Sequence, residues 1–417
     1  MKKRTHYELL KAGAGYYTAL AGLGIIIAMA LAATWYMEHY GHIVTGMTNE
    51  IVWGMPHVFA VFLIVAASGV LNVASIGTVF GKAPYKPLGR LSAVMAAAVL
   101  AGGLMILVLD LGRPDRLIVA MTEYNFRSIF AWNIYLYNGF FAVVLLYLYT
   151  QMSQDWRVRR FYRPAGTLAF VWRLILTTGT GSIFGWLVAR QAYDLAIFAP
   201  LFIALSLSFG LAFFILMMVA LMRGDDRELG TGLVNRMGRL LGVLVAAAAY
   251  FTFVWALTDL YAAEHRDVVK YLFASGNIYS WLYWVGFIGL GTIVPMLLVF
   301  SNGARSSVKP VVTAALLVIV GGLSLMYFII IGGQSYPLVL FPGKEVKSTF
   351  VDGQIASYAP SMPEILLGLG GVAVAIAITL VATKVLEILP RSLADAEVDP
   401  HTAAHEEEGG AGMKQAA

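Results

Sequence analysis

Residues 53–80 read WGMPHVFAVFLIVAASGVLNVASIGTVF, and this stretch decides the fold of the 417-residue chain. It contains one histidine, His57, and no acidic or other basic side chain, over more than the roughly 20 residues that a helix needs to cross a bilayer. Within a single segment in lipid, only a helix pairs all of its backbone N–H and C=O groups internally. The stretch therefore predicts a membrane-spanning helix with a histidine at membrane depth.

The composition extends this prediction to the whole chain. Hydrophobic residues make up 59% of the sequence and charged residues only 13%, whereas soluble domains carry about 25% charged residues. Uncharged runs of about 19 to 25 residues predict transmembrane helices. The sequence holds ten such runs: 16–36, 53–80, 91–109, 128–149, 168–188 (interrupted by Arg173), 195–222, 240–258, 278–300, 311–331 and 365–383. We expect an all-α, polytopic integral membrane helical bundle with ten transmembrane helices.

Lys and Arg residues are distributed unequally between the two sets of alternating loops. Of the 29, 20 lie on the side of the N-terminus and 8 on the other side, while Arg173 lies inside a run and is expected to extend to the nearer membrane surface. Because cytoplasmic loops carry the excess of Lys and Arg, we expect a bacterial inner-membrane protein with both termini in the cytoplasm. Residues 1–389 form the predicted transmembrane domain and residues 390–417 a flexible cytoplasmic tail. The basic cluster at 157–163 is expected to contact anionic lipid headgroups.

The sequence also restricts which cofactors this protein can hold. It has no cysteine, which excludes a disulfide, a thiolate zinc site and an iron–sulfur cluster held by its own residues. Of its seven histidines only His57 lies within a predicted span, whereas a transmembrane b-type haem generally needs two facing axial ligands. We therefore predict no metal, haem or iron–sulfur cluster in this chain. The basic residues are spread over separate loops, so nucleic acid is not a predicted partner.

A charged corner, Asp110-Leu111-Gly112-Arg113-Pro114-Asp115-Arg116, follows the third run. Asp110 and Arg113 are three residues apart, so their side chains can meet at the end of a helix, and Pro114 stops that helix. The plain interpretation is an interfacial ion pair that anchors a helix end. The functional interpretation is a relay for protons and charge.

Aromatic and polar side chains lie near this corner on two other predicted helices. Trp53 and His57 share one helix face at i and i+4, and Ser128, Trp132 and Tyr135 share a face of the fourth helix at i, i+4 and i+7. The predicted topology brings the start of the second span, the end of the third and the start of the fourth to the same non-cytoplasmic level. These side chains are therefore expected to converge.

A quinone, which is a flat ring with two hydrogen-bonding oxygens, fits this set of side chains. His57 and Tyr135 would be the proton donors, and Trp53 or Trp132 would form a wall. We predict His57, Asp110 and Tyr135 as catalytic residues, and Trp53, His57, Arg113, Ser128, Trp132 and Tyr135 as quinone-binding residues. The alternatives are that His57 only hydrogen-bonds a neighbouring helix and that the aromatic stripe is an interfacial belt.

Four segments resemble the NrfD/PsrC family of quinone-interacting membrane subunits. They are the corner at 110–116, NFRSIFAW at 125–132, TGSIFG at 180–185 and PLFI at 200–203. The ten spans and WGMPH at 53–57 are most similar to the family's sulfite-reductase-linked membrane subunits. The resemblance extends to about Pro390. Some relatives have a histidine in the fifth span, where this protein has Thr178 and Thr180.

The resemblance implies a subunit without haem or iron–sulfur cofactors in a respiratory complex of dissimilatory sulfur metabolism. Such a subunit oxidises or reduces a bound quinone, menaquinone or ubiquinone. It exchanges electrons with a periplasmic, ferredoxin-like iron–sulfur subunit, beside other membrane and cytochrome subunits. Two rival hypotheses are a secondary transporter, suggested by Gly179 with Gly181 and by Gly291 with Pro295 within spans, and a cofactor-free structural anchor.

Overall fold

The computed structural model describes residues 5–338 and 353–398. Within this part of the chain it contains ten helices that are long and apolar enough to cross a membrane, which confirms the predicted all-α, ten-span architecture. In chain order, spans 1 to 10 are Ala14–Tyr40, Met55–Thr78, Ala83–Leu109, Ile129–Met152, Tyr162–Gly185, Phe198–Gly224, Thr231–Tyr261, Ile278–Phe300, Lys309–Ser335 and Met362–Val385. The protein is therefore a multi-pass integral membrane protein.

Residues at the helix ends account for several of these boundaries. Span 2 begins directly after Gly54, whose backbone is extended, and has Pro56 in its first turn. Proline is tolerated there because the N–H groups of the first turn have no hydrogen-bond acceptor within the helix. Span 4 begins after Ser128, whose side chain accepts a hydrogen bond from the N–H of Ala131. At span 10 the carboxylate of Glu364 accepts the N–H of Ser361 at 2.7 Å.

The spans form two four-helix bundles. Spans 2 to 5 pack against one another in a closed ring, and spans 6 to 9 do the same. Spans 2 and 6 pack together at the centre, and 83% of the most apolar stretch of each helix is buried. Spans 1 and 10 pair with each other beside span 3. The part of the protein best shielded from lipid is therefore the contact between spans 2 and 6.

Two glycines permit that central contact. A Cβ atom on Gly69 would lie 1.6 Å from the carbonyl oxygen of Ser206, and one on Gly210 would lie 2.2 Å from the carbonyl carbon of Gly69. The two helix backbones therefore touch at this crossing, as small residues allow in membrane bundles. The segments 61–69 and 202–210, which share an apolar pattern ending in glycine, meet at their final residues.

Replacing Gly69 by alanine is expected to destabilise the protein. The added methyl group meets backbone atoms that cannot rotate away, and such overpacking typically costs about 1–3 kcal/mol. The melting temperature in detergent should fall. Gly22→Ala in span 1 is the matched control, because nothing lies within 4 Å of its Cβ position. Equal melting temperatures for the two variants would contradict the close crossing.

The described ends of the chain lie on the same side of the bundle, which we call the terminal face. Strand β1, Tyr7–Glu8, pairs antiparallel with strand β2, Leu389–Pro390, and a short helix at Asp395–Val398 follows. The predicted tail thus begins in a segment that packs on the bundle, and residues 399–417 lie outside the described part of the chain. The opposite side, where spans 2, 4 and 6 begin, is called the site face.

The expectation for Arg173 is wrong. Its side chain does not extend to the membrane surface but is buried, with only 2% of the residue exposed. Nη2 donates a hydrogen bond of 2.7 Å to Oδ1 of Asn72 in span 2, and the guanidinium lies over the ring of Phe170. Because span 5 turns this residue towards span 2, an internal amide takes the place of water as its hydrogen-bond partner.

Candidate functional site

A cavity of about 540 Å³ lies within the first bundle at the site face. Its walls are the beginning of spans 2 and 4, the ends of spans 3 and 5, part of the segment 111–121 that connects spans 3 and 4, and Ile330 of span 9. Most lining side chains are aliphatic or aromatic, with a few polar groups among them. Such a concave, largely apolar space with few polar groups is the usual form of a small-molecule site.

His57 and Asp110 come together in the wall of this cavity. Nδ1 of His57 lies 3.1 Å from Oδ2 of Asp110, and the Asp110 side chain is only 1% exposed. The two atoms are within ion-pair distance, but the angles of the contact do not meet the geometry of a hydrogen bond. Both carboxylate oxygens therefore have no hydrogen-bond partner among the described residues. Because an unpartnered buried carboxylate is costly, this pair is where a proton or a polar ligand would bind.

Arg113 takes no part in this pair. It is exposed, and the predicted contact with Asp110 is replaced by the contact between Asp110 and His57. The reason is local geometry, because span 3 ends at Leu109 and Gly112 has a left-handed backbone with φ of 65°. The chain reverses there, so a spacing of three residues no longer places the two side chains on one helix face.

Trp53 forms an aromatic wall beside His57. The two rings are stacked, with centroids 6.3 Å apart and an interplanar angle of 28°. Phe130 of span 4 and Phe184 of span 5 each lie 5.9 Å from the Trp53 ring. All four side chains line the cavity. A planar ring that enters this space would meet aromatic faces on one side and the His57–Asp110 pair nearby.

Span 4 contributes a different face from the one predicted. Asn133, Ile134, Tyr137 and Asn138 line the cavity, whereas Ser128, Trp132 and Tyr135 lie on the opposite side of the helix. Ser128 caps the helix, and the Trp132 indole donates a hydrogen bond to the carbonyl of Phe126 at 2.8 Å. Trp132 is 44% exposed and Tyr135 is 37% exposed, in agreement with an aromatic stripe at the membrane interface.

Asn133 and Thr180 are polar lining residues that the sequence prediction of the site missed. Nδ2 of Asn133 donates to the carbonyl of Gly179 at 3.1 Å, and the Thr180 hydroxyl lies 3.4 Å from Oδ1 of Asn133. A Cβ on Gly179 would lie only 2.6 Å from Cδ1 of Leu136. Gly179 thus lets spans 4 and 5 approach closely enough for this contact.

A short helix at Leu117–Thr122, which we call the lid helix, covers the side of the cavity between spans 3 and 4. Leu117, Ala120 and Met121 face the cavity, whereas Ile118 and Val119 are exposed on the outer surface. The Tyr135 hydroxyl donates a hydrogen bond to the carbonyl of Met121. Tyr135 therefore holds the lid helix against span 4 and is not itself a lining residue.

Tyr135→Phe distinguishes the observed contact with the lid helix from the catalytic role that the sequence predicts for this residue. If the hydroxyl only holds the lid helix, its loss removes one hydrogen bond, worth about 1 kcal/mol. For the quinone that the sequence predicts, we then expect KM to rise roughly five-fold at nearly constant kcat, measured on the intact complex. Tyr149→Phe, at an exposed position of the same helix, is the control. A fall in kcat of about 100-fold would instead show direct proton transfer by Tyr135.

The second bundle carries a similar acid–histidine pair at the same face. Nδ1 of His265 lies 3.1 Å from Oδ1 of Asp259 at the end of span 7. The other oxygen of Asp259 accepts a hydrogen bond from the Trp255 indole at 2.8 Å, so this carboxylate is fully paired. The rings of Phe198 and Phe273 pack directly against Trp255. Here the acid is satisfied by its own protein neighbours, unlike Asp110.

These features define an integral membrane protein with a largely apolar ligand cavity in one of its two helical bundles. The family described as "Polysulphide reductase, NrfD" matches residues 43–337, a range that includes spans 2 to 9 and every predicted site residue. The chain belongs to this family.

Two of three curated relatives are named as parts of oxidoreductases, and one of these as an integral membrane subunit. The protein is 27% identical to the Hdr-like menaquinol oxidoreductase integral membrane subunit of Archaeoglobus fulgidus, with 90% of its own length and 95% of the relative covered. It is 24% identical to the polysulfide reductase C subunit of Wolinella succinogenes, with 69% and 96% covered. Its identity to Protein NrfD of Escherichia coli is 27%, also with 69% and 96% covered.

Proposed function

We propose that this protein is the quinone-reactive membrane subunit of a multi-subunit oxidoreductase, and that the cavity between spans 2 and 5 holds the quinone headgroup. The observation that carries the proposal is the buried Asp110 carboxylate, which contacts His57 in the wall of an apolar cavity and has no hydrogen-bond partner among the described residues. A volume of about 540 Å³ is within the usual range for a small-molecule site.

The His57–Asp110 pair would accept or return the protons of the ring. Oxidation of a quinol releases two protons and two electrons, so the site needs a proton acceptor close to a ring oxygen. Nδ1 of His57 faces Asp110, which leaves Nε2 to exchange a proton with the ligand. The carboxylate stabilises the imidazolium that results. In the reducing direction the same pair supplies the proton.

The electrons would leave the protein through a partner. The sequence has no cysteine, so an iron–sulfur cluster must belong to another subunit. We propose a periplasmic, ferredoxin-like iron–sulfur subunit that docks at the site face, together with other membrane and cytochrome subunits of the same complex. This arrangement requires the site face to be periplasmic and both termini cytoplasmic in the inner membrane, as the distribution of Lys and Arg predicts.

The finer identity of the complex is also a proposal. The name of the Archaeoglobus relative supports menaquinone over ubiquinone as the substrate, and the name of the Wolinella relative supports a place in sulfur metabolism. The similarity of residues 53–57 and of the ten spans points to DsrP, the membrane subunit of the sulfite-reductase-linked DsrMKJOP complex. Subunits that copurify with the protein in mild detergent identify the complex directly.

Quinone binding to the intact complex tests the proposal. The complex is purified in mild detergent and titrated with a short-tailed menaquinone, and the same titration is made with a His57→Leu variant. We expect saturable binding by the wild type and at least about ten-fold weaker binding by the variant, since a hydrogen bond to the ring is lost. Binding that is absent from the wild type would favour a structural anchor.

The structure gives little support to a transporter. Gly179 is explained by the approach of span 4 to span 5, and Gly291 by its contact with Gly321 of span 9, whose Cα would lie 2.8 Å from a Cβ at Gly291. Both glycines therefore serve helix packing. Solute uptake into liposomes that contain the purified protein alone would revive that hypothesis.

A further inference from the structure

The segment that leads into span 2 is held by side chains from distant parts of the sequence. It carries Trp53, which forms the aromatic wall, and it places His57 one turn into the helix. Gln334, at the end of span 9, is 2% exposed and directs its amide group at this segment. None of the residues that the sequence predicts for the site comes from span 9.

The amide of Gln334 makes four hydrogen bonds, all to the backbone. Oε1 accepts the N–H groups of Val52 and Trp53, each at 3.0 Å. Nε2 donates to the carbonyl of Trp53 at 3.0 Å and to that of Ile330 at 2.7 Å. A primary amide has two N–H donors and one oxygen with two lone pairs, so its capacity is fully used. Both backbone groups of Trp53 are fixed by this one side chain.

The same contacts connect Gln334 to two cavity residues. Trp53 and Ile330 both line the cavity, and both have a backbone group bonded to Gln334. Ile330 lies in a π-helical turn, Phe328–Gly332, where wider helical geometry often marks a functional site. Gln334 thus joins the segment before span 2 to span 9 of the second bundle, whose Ile330 lines the cavity.

Further contacts keep this arrangement in place. The guanidinium of Arg190 donates to the carbonyl of Gln334 at 2.5 Å and to that of Glu50 at 2.7 Å. One residue after Gly54, the N–H of Met55 donates to the Tyr358 hydroxyl, which in turn donates to Glu364, both at 2.6 Å. Burial, together with the nearby Glu364 carboxylate, raises the pKa of Tyr358, so that this hydroxyl remains protonated.

We propose that Gln334 is a positioning residue for the quinone site, which sets the position of Trp53 in the aromatic wall. This inference rests on the proposed function of the cavity. Gln334 does not line the cavity and does not touch the substrate. Its effect is on how well the preformed wall fits a planar ring, and therefore on substrate affinity.

The test compares Gln334→Leu and Gln334→Glu with the wild type in the intact complex. Leucine removes all four hydrogen bonds, whereas glutamate keeps an oxygen for the Val52 and Trp53 N–H groups and loses both donors. We expect KM for quinol to rise at least about ten-fold in both variants, because leucine loses every hydrogen bond and glutamate places a buried carboxylate oxygen against the carbonyls of Trp53 and Ile330. We expect kcat to stay within about three-fold, because His57 and Asp110 are intact.

Gln151→Leu is the matched control, because it removes a partly buried amide at the terminal face. A merely structural role of Gln334 would lower the melting temperature of the complex without changing KM. An unchanged KM in both Gln334 variants overturns the inference, and so does failure of both to assemble, since a positioning residue leaves a folded protein. If only Gln334→Glu assembles, an unchanged KM of this variant is enough to overturn the inference, and a raised KM supports it.

The quinone titration of the His57 variant distinguishes a failure of this inference from a failure of the proposed function. If His57→Leu leaves quinone binding unchanged, the proposed site itself is wrong. If His57→Leu weakens binding and the Gln334 variants do not raise KM, only the role of Gln334 is wrong.

Discussion

Asp110→Asn is expected to lower quinol turnover by the intact complex about 100-fold, the lower limit of what a positioned acid–base group typically contributes. Asparagine keeps the size of the side chain but is unable to stabilise a proton on His57. Quinone affinity should change much less, because the walls of the cavity are retained. The measurement is steady-state quinol oxidation with an artificial electron acceptor, alongside a quinone titration.

Asp259→Asn is the matched control for this experiment. Asp259 also lies at the end of a span on the site face and contacts a histidine, His265, but its oxygens are satisfied within the protein. We expect its replacement to affect stability more than turnover. Equal losses of turnover in both variants would show that the effect of Asp110 is a general effect of removing a buried acid, and would remove the basis for the proposed site.

Ile134→Trp is expected to abolish quinone binding by filling the cavity. Ile134 lines the cavity on span 4, and a bulky indole there would occupy the space of a planar ring. Ile134 is only partly buried and borders the free space of the cavity, so the fold should tolerate the change better than overpacking in a closed core. We expect quinone affinity to fall at least about 100-fold, equivalent to roughly 2.7 kcal/mol, with assembly of the complex retained.

Leu145→Trp provides the control for added bulk on the same helix. Leu145 is exposed on the outside of span 4, where an indole meets lipid and not the cavity. Its affinity for quinone should equal that of the wild type. Tight quinone binding by Ile134→Trp would place the substrate elsewhere in the protein.

The ten spans were predictable because membrane insertion depends on the summed hydrophobicity of consecutive residues, which is a local property. The contact between His57 and Asp110 was also within reach of sequence reasoning. Two ionisable groups at one membrane level, on consecutive helices joined by a short connection, are expected to lie close to each other. The predicted Asp110–Arg113 pair failed because it assumed a helix that Gly112 ends.

The rotation of span 4 could not be derived from its sequence. Nearly every residue in the helix is apolar or aromatic, so no polar stripe distinguishes its protein face from its lipid face. Asn133 and Asn138 were the signals that could have settled the rotation, because an amide within a span tends to face the protein and both line the cavity. The sequence prediction instead takes the stripe of Ser128, Trp132 and Tyr135 as the site face of the helix, and this stripe faces away from the cavity.

The role of Gln334 was out of reach for a different reason. Its partners, Val52 and Trp53, are about 280 residues earlier in the sequence, as the separations of 282 and 281 residues show, and the contact depends on how the two bundles pack. A single glutamine at the end of an apolar helix has no distinguishing spacing. Only the tertiary structure reveals that three of its four hydrogen bonds go to two residues of the cavity wall, Trp53 and Ile330.

The lid helix has a consequence for how activity should be measured. Its outer residues Ile118 and Val119 are apolar and exposed, so under the proposed function an isoprenoid tail would stay among acyl chains while the headgroup is inside the protein. The amount of substrate that the protein encounters is then set by the number of quinones per lipid. Molarity in the assay buffer is not the relevant quantity. Diluting the bilayer with extra phospholipid at constant total quinone should therefore slow the reaction, even though nothing in the aqueous phase has changed.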